Sequence, residues 1–191
     1  MLIALVVGVL PALVTGFVLE KKIKEHLFGP GPVVAAWIVG GLVLVGLSKT
    51  SWWDRERRGI DLGAVTPRDA LIIGLAQCLA LWPGTSRSLV TIVAALLVGL
   101  GLAAAVEYSF LLGLVTLGAA TAYDTLKHGG EIYHAYGAFS PLLGFVVAFV
   151  AAVAAVRWMV TYLQNHDLAI FGWYRLGIAA VTIGLMAAGR I

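Results

Sequence analysis

Within six residues, Pro83-Gly84-Thr85-Ser86-Arg87-Ser88 brings together a helix breaker, a flexible hinge, three hydroxyls and a guanidinium. Pro83 closes the preceding helix, and Gly84 frees the backbone to turn. Thr85, Ser86 and Ser88 then fall where the next helix opens. The unbonded N–H groups of a helix start, at the positive end of its dipole, form a site for anions. Arg87 adds a fork of donors that pairs with phosphate in bidentate fashion, which lysine cannot do. Thr91 follows four residues later on the same helix face. The Gly-Lys-Ser/Thr ending of a nucleotide-binding loop is absent, so ATP-driven chemistry has no support. The chemistry implied is capture of a phosphate-like group. The alternative is an arginine that snorkels outward while the hydroxyls cap a kink.

The elements that must position these residues are apolar. Ala70–Trp82 precedes the break and Ser88–Leu102 follows it. Each is too short to cross a membrane, whose hydrocarbon core takes about 20 helical residues. Two short apolar pieces around a polar break predict a re-entrant helical hairpin over about residues 69–102, against the alternative of one long kinked helix. A charge and a non-helical break at membrane depth cost free energy, which marks the spot as functional. Upstream, Thr66-Pro67-Arg68-Asp69 predicts a helix start with Thr66 as N-cap and Pro67 in the first turn.

Five longer apolar runs predict full spans: Met1–Leu19 with Pro11 inside it, Pro32–Ser48, Ala103–Leu126, Phe139–Tyr162 and Leu168–Gly189. The segments Glu20–Gly31, Lys49–Arg68, Lys127–Ala138 and Leu163–Asp167 read as polar connections. Met1–Leu19 lacks a basic stretch ahead of it, so a retained span is expected rather than a cleaved signal. The 191 residues are 61% hydrophobic and 12% charged, whereas a soluble domain carries about a quarter charged residues. The apolar runs are continuous rather than alternating, which excludes a membrane β-barrel. The fold class is therefore an all-α integral membrane protein, a helical bundle of five spans plus one re-entrant hairpin, in a single membrane domain over residues 1–191. Frequent Ala and Gly allow the close helix approach that such bundles need.

The net charge of +3 comes from basic residues placed beside apolar segments, Lys21, Lys22 and Lys24, then Lys49, Arg55, Arg57 and Arg58. That is the pattern of headgroup anchors, and no nucleic-acid partner is expected. With a hairpin that returns to its own side, basic residues divide evenly between the two faces, so orientation stays open. Cys78 is the one cysteine, which rules out an intrachain disulfide and a thiolate metal cluster. His26, His128, His134 and His166 fall in predicted connections away from the hairpin. Glu107 is the acid nearest the hairpin, open between an ion pair with Arg87 or Arg175 and a part in proton transfer. Arg175 lies about seven residues into the last span, roughly 10 Å deep at helical rise, and either snorkels or meets a phosphate.

The stretch Gln77-Cys78-Leu79-Ala80-Leu81-Trp82-Pro83-Gly84-Thr85-Ser86-Arg87-Ser88 resembles the second signature of the undecaprenyl-diphosphate phosphatases, the bacitracin-resistance family. Pro11-Ala12 with Gly16, Glu107-Tyr108-Ser109-Phe110-Leu111-Leu112 and Tyr174-Arg175-Leu176-Gly177 match in the same order, so the resemblance covers nearly the whole chain. It implies a multi-pass protein of the bacterial inner membrane that removes the terminal phosphate of a C55 polyprenyl diphosphate. The monophosphate product is the lipid carrier of cell-wall precursors, and its recycling confers bacitracin resistance. By this resemblance Ser86 and Arg87 are catalytic, while Gly84, Thr85, Ser88, Thr91 and Arg175 hold the diphosphate, with Glu107 as acid/base or ion-pair partner. A divalent cation, Mg or Ca, is implied, with no ligand set identifiable in these residues.

Two departures stand out. Leu89-Val90 occupies the place where the family usually has Gly-Ala. An earlier re-entrant repeat of the family, a Glu-x-x-x-Glu segment followed by Pro-x-Ser-Ser-Ser-Gly-His, has no counterpart, and Met1 aligns beyond it. The alternatives to a hydrolase are therefore a protein that binds or translocates a polyprenyl phosphate, and an inactive truncated form. A homodimer in which a second copy covers the open face of the hairpin is a further expectation.

Overall fold

The structure is a computed structural model that describes residues 1–49, 59–166 and 168–190. Among them are seven α-helices: α1 (Leu2–Leu27), α2 (Pro30–Ser48), α3 (Pro67–Gln77), α4 (Arg87–Leu97), α5 (Leu102–Tyr136), α6 (Phe139–Asn165) and α7 (Ala169–Ala187). Short 3-10 turns cover Leu62–Ala64 and Cys78–Leu81, and there is no β-strand among the described residues. Five helices contain stretches long and apolar enough to cross a membrane, namely Leu2–Leu19, Pro30–Ser48, Leu102–Tyr136, Phe139–Met159 and Ala169–Ala187. The protein is an all-α, multi-pass membrane protein, and its five spans are those expected from the sequence.

Three helices run past their expected ends. α1 continues to Leu27, α5 to Tyr136 and α6 to Asn165, so most of Glu20–Gly31, Lys127–Ala138 and Leu163–Asp167 is helical. Lys, Glu and Leu are good helix formers, and in α1 nothing stops the helix before Gly29-Pro30. Polarity there marks where a helix leaves the apolar layer, not where it ends. His128 and His134 accordingly lie within α5, and His26 falls within α1, while His166 caps α6. Arg55, Arg57 and Arg58 lie outside the described residues.

Residues 59–101 form a closed helical hairpin. Thr66 caps α3 through a reciprocal box: its Oγ accepts the Asp69 N–H at 3.2 Å, and Asp69 accepts the Thr66 N–H at 3.1 Å. α3 and α4 are 11 residues each, about 16 Å long at helical rise and so about half of a membrane core. Their outer ends are tied together, because Ile60 N–H donates to Gly99 O at 2.9 Å and Gly101 N–H donates to Ile60 O at 3.0 Å. The segment therefore returns to the place it left, which excludes a single kinked helix.

The helices group into two compact units, Met1–Leu112 with Asp167–Ile191, and Gly113–His166. In the first, glycines set the spacing of α1 against α3 and of α2 against α7. A Cβ on Gly74 would strike the carbonyl oxygen of Gly8, and one on Gly172 would lie 2.9 Å from that of Gly41. Close backbone approach of this kind supplies the dispersion contact that drives helix association where lipid removes the hydrophobic term. Ile73, Ile92, Leu96, Leu100, Tyr108 and Leu112 fill the core, and the Tyr108 hydroxyl donates to Ala4 O at 3.0 Å, pinning α5 to α1.

The second unit consists of the remainder of α5 and α6. Trp158, Tyr162 and His166 stack in a ladder at the end of α6, with ring centroids 5.4 and 4.4 Å apart. Aromatic rings at a span end suit the membrane interface.

Candidate functional site

The break begins where α3 tightens into the 3-10 turn Cys78–Leu81. Trp82-Pro83-Gly84-Thr85 then reverses the chain: Thr85 N–H donates to Trp82 O at 3.0 Å, and Gly84 holds φ +90. Proline followed by a glycine at positive φ is the residue pattern of a type II turn. Ser86 follows as the N-cap of α4, its Oγ accepting the Leu89 N–H at 3.2 Å and its carbonyl the Val90 N–H at 3.1 Å. Those two bonds use the third and fourth N–H groups of the helix. The first two, on Arg87 and Ser88, remain available at the positive end of the dipole.

Three contacts wedge the break between α2 and α7. The Trp82 indole N–H donates to Pro32 O at 3.0 Å. Gly84 packs so closely on α2 that a Cβ there would lie 2.8 Å from Val33 O. From α7, Arg175 donates to Gly84 O. Its guanidinium lies against Gly40, where an added Cβ would come within 3.1 Å of Cζ. On the α1 side, Thr15 and Cys78 approach to 3.5 Å and Gly16 faces Leu81. From Leu2 to Gly16 the α1 axis rises about 21 Å, and Pro32 is two residues into α2. The turn thus lies deep along the bundle, near the end where α1 hands over to α2.

Gly84, Thr85, Ser86, Arg87 and Ser88 are brought together at the turn, each half-buried. Arg175 joins them without snorkelling: it turns inward and holds the turn, with its Nε buried and unbonded among the described residues. Thr91 departs from the expected role. It is 1% exposed, donates to Arg87 O at 2.9 Å, and lies 2.7 Å from the Ser109 hydroxyl of α5. Its hydroxyl is spent on locking α4 to α5 and does not face the turn. Glu107 is exposed and makes no ion pair with Arg87 or Arg175 among the described residues. The helical twist gives the inward positions to its neighbours Tyr108 and Ser109.

Four residues of the site were not singled out from sequence. Ser109 has no local signal, since its partner is 18 positions away. Trp82 carried one, because an indole N–H in an apolar run needs an acceptor. Gly40 is legible only once Arg175 is known to cross it. Gln77 sits inside the quoted signature and is 2% exposed, and neither end of its amide has a partner among the described residues. An unmet buried amide costs about 1–3 kcal/mol, which makes Gln77 a polar residue kept at the root of the break against that cost.

A helix start that opens on Arg87 and the Arg175 guanidinium meet at the turn, and this set suits an anion. Among the described residues no group of three or more His, Cys, Asp or Glu side chains could hold a metal ion. No step is assigned to the divalent cation that the resemblance implies.

Comparison with known proteins identifies the family of the chain. The family model described as bacitracin resistance protein BacA matches residues 1–181. An undecaprenyl-diphosphatase of Sorangium cellulosum is 46% identical over 189 residues, covering 96% of this chain and 60% of the relative. Undecaprenyl-diphosphatase 2 of Rhodospirillum rubrum is 43% identical over 192 residues, with 98% and 67% covered. An undecaprenyl-diphosphatase of Nitrosospira multiformis is 40% identical over 190 residues, with 98% and 67% covered. The chain thus spans about two thirds or less of the length of these relatives. On the match over nearly all of its own residues, the chain belongs to the bacitracin resistance protein BacA family.

Proposed function

We propose that this chain acts on undecaprenyl diphosphate in the bacterial inner membrane, releasing inorganic phosphate and leaving the monophosphate. The observation that carries this reading is the helix start at Ser86–Ser88, where free N–H groups, the helix dipole and Arg87 meet at a turn wedged between α2 and α7. Phosphoryl transfer asks a protein chiefly for positioning and charge neutralisation. The Arg87 and Ser88 N–H groups and the Arg87 guanidinium supply both to the terminal phosphoryl. Ser86 orients them as N-cap and keeps its own hydroxyl proton free to donate to a phosphate oxygen. Thr85 and Ser88 add hydroxyl donors. Arg175 works one step back, fixing through Gly84 O the direction in which α4 starts.

α3 and α4 are each too short to cross a membrane, which supports a hairpin that enters the bilayer and returns, with its turn level with Gly16 and Pro32 toward the α1–α2 end, where a lipid headgroup can reach it. The names of the relatives support the substrate and the reaction.

Phosphate release from undecaprenyl diphosphate by the purified chain in detergent, with and without magnesium, tests the reading. Release is expected, and Arg87→Ala is expected to lower it by about 10²–10³, the usual cost of removing one transition-state donor. Equal release by both proteins overturns the role of Arg87. Lipid binding without any release reassigns the chain to binding or translocation of a polyprenyl phosphate.

A further inference from the structure

An apolar groove of about 400 Å³ runs between α2, α3, α4 and α7. Leu89, Val90, Val93 and Leu97 of α4 line it, on a different helix face from Thr91, and Thr85 and Arg175 supply its polar atoms. We propose that this groove holds the first isoprene units of a polyprenyl diphosphate whose headgroup sits at the turn, with Leu89 and Val90 as the wall that selects for them. The proposal rests on the function proposed above and adds the seat of the tail.

Size, length and polarity support it. A water molecule's share of liquid volume is about 30 Å³ and a chain carbon is of similar size, so the groove takes roughly 13 heavy atoms, between two and three five-carbon units. From Arg87 to Leu97 the helix rises about 15 Å, comparable to such a chain extended. The polar end narrows the choice of lipid further. Lipid gives no hydrophobic preference for one tail over another, so discrimination has to come from shape and from the head. In a polyprenyl diphosphate the phosphate joins the tail directly, with no glycerol between them. The groove has that layout: Thr85 and Arg175 line it, Thr85 from within the turn that opens α4 and Arg175 from α7, bonded to that turn at Gly84 O. Leu89 and Val90 are the lining residues of α4 nearest the helix start, where the first isoprene unit would lie.

The test is photolabelling of the whole chain in phosphatidylethanolamine–phosphatidylglycerol nanodiscs, using a C15 prenyl diphosphate with a diazirine on its third isoprene unit. Label is expected on Val93 or Leu97, and undecaprenyl diphosphate at about ten times its Kd is expected to cut it roughly tenfold by mass action. Val93→Trp, which fills the groove, is expected to lower labelling roughly tenfold. Leu89→Gly/Val90→Ala is expected to let a bulkier aryl-capped prenyl diphosphate compete as well as the C55 lipid.

Label confined to α1, α5 or α6 overturns the proposal, because those helices do not line the groove. So does groove label that the C55 lipid fails to displace, since an ordinary acyl chain then occupies it. Labelling is read without turnover, so the two readings fail separately. Groove label without phosphate release removes only the hydrolase, whereas release with label elsewhere removes only the groove.

Discussion

Gly84 and Gly99 offer a matched pair of perturbations. Both hold positive φ, +90 and +97, a conformation that costs a non-glycine residue about 1–3 kcal/mol. A methyl group on Gly99 meets nothing within 4 Å, whereas on Gly84 it would lie 2.8 Å from Val33 O and 3.1 Å from Val33 Cα. Gly99→Ala therefore measures the backbone cost alone. Gly84→Ala adds an overpacking cost of about 1–3 kcal/mol, for a total of about 2–6 kcal/mol. Relief requires the turn to back away from α2, which pulls on the Trp82 bond to Pro32 O and on the Arg175 bond to Gly84 O and swings the start of α4. A displacement of about 1 Å at a reacting centre can cost about 10²-fold in rate. Unfolding of both variants in mixed detergent micelles, followed by tryptophan fluorescence, should show Gly84→Ala the less stable by at least about 1 kcal/mol. Phosphate release should fall at least about tenfold in Gly84→Ala and stay near wild type in Gly99→Ala. Equal losses in the two variants would refute the wedge.

Thr91→Val and Ser109→Ala should couple in a double-mutant cycle of unfolding by about 0.6 kcal/mol, the average for interhelical hydrogen bonds in a membrane bundle, and by no more than about 1.7 kcal/mol; zero coupling removes the lock between α4 and α5. Gly74→Leu should part α1 from α3 and destabilise by at least about 3 kcal/mol, seen as loss of a monodisperse peak in detergent, and a well-folded variant would contradict the backbone contact. Arg87→Lys keeps the charge and loses the fork, so diphosphate affinity should fall about tenfold by lipid-binding titration, and unchanged affinity would make Arg87 a point charge only.

What could be read along the chain was set by local properties. The five spans follow from long apolar runs with few charges, the cap at Thr66 from a four-residue pattern, and the turn at Trp82–Thr85 from Pro-Gly. The ends of α1 and α5 were misplaced because Lys, Glu and His end an apolar stretch without ending a helix. The site was half legible for a similar reason. The helix start at Ser86 is a local event, but the groups that hold it come from afar: Arg175 is 91 positions from Gly84, and Trp82 is 50 from its acceptor at Pro32. Thr91 shares a helical row with Arg87, yet it faces Ser109, and the row alone does not say which neighbour fills the space opposite. The same applies to Glu107, whose place beside Tyr108 and Ser109 put it near the hairpin in sequence while the twist of α5 turns it outward.

The bridge between Ile60 and Leu100 has a consequence for parity. A segment whose two ends are stapled together contributes an even number of crossings, so the side on which every later helix emerges is independent of it. Arg68 and Asp69 at its base stay where they began, and no charge at its base has to be carried over. Such a module can be inserted after its flanking spans are in place. It can also be lengthened, reshaped or exchanged between descendants without inverting anything downstream. The chemistry at its tip is thereby uncoupled from the threading of the chain, and selection can work on one while the other stands still.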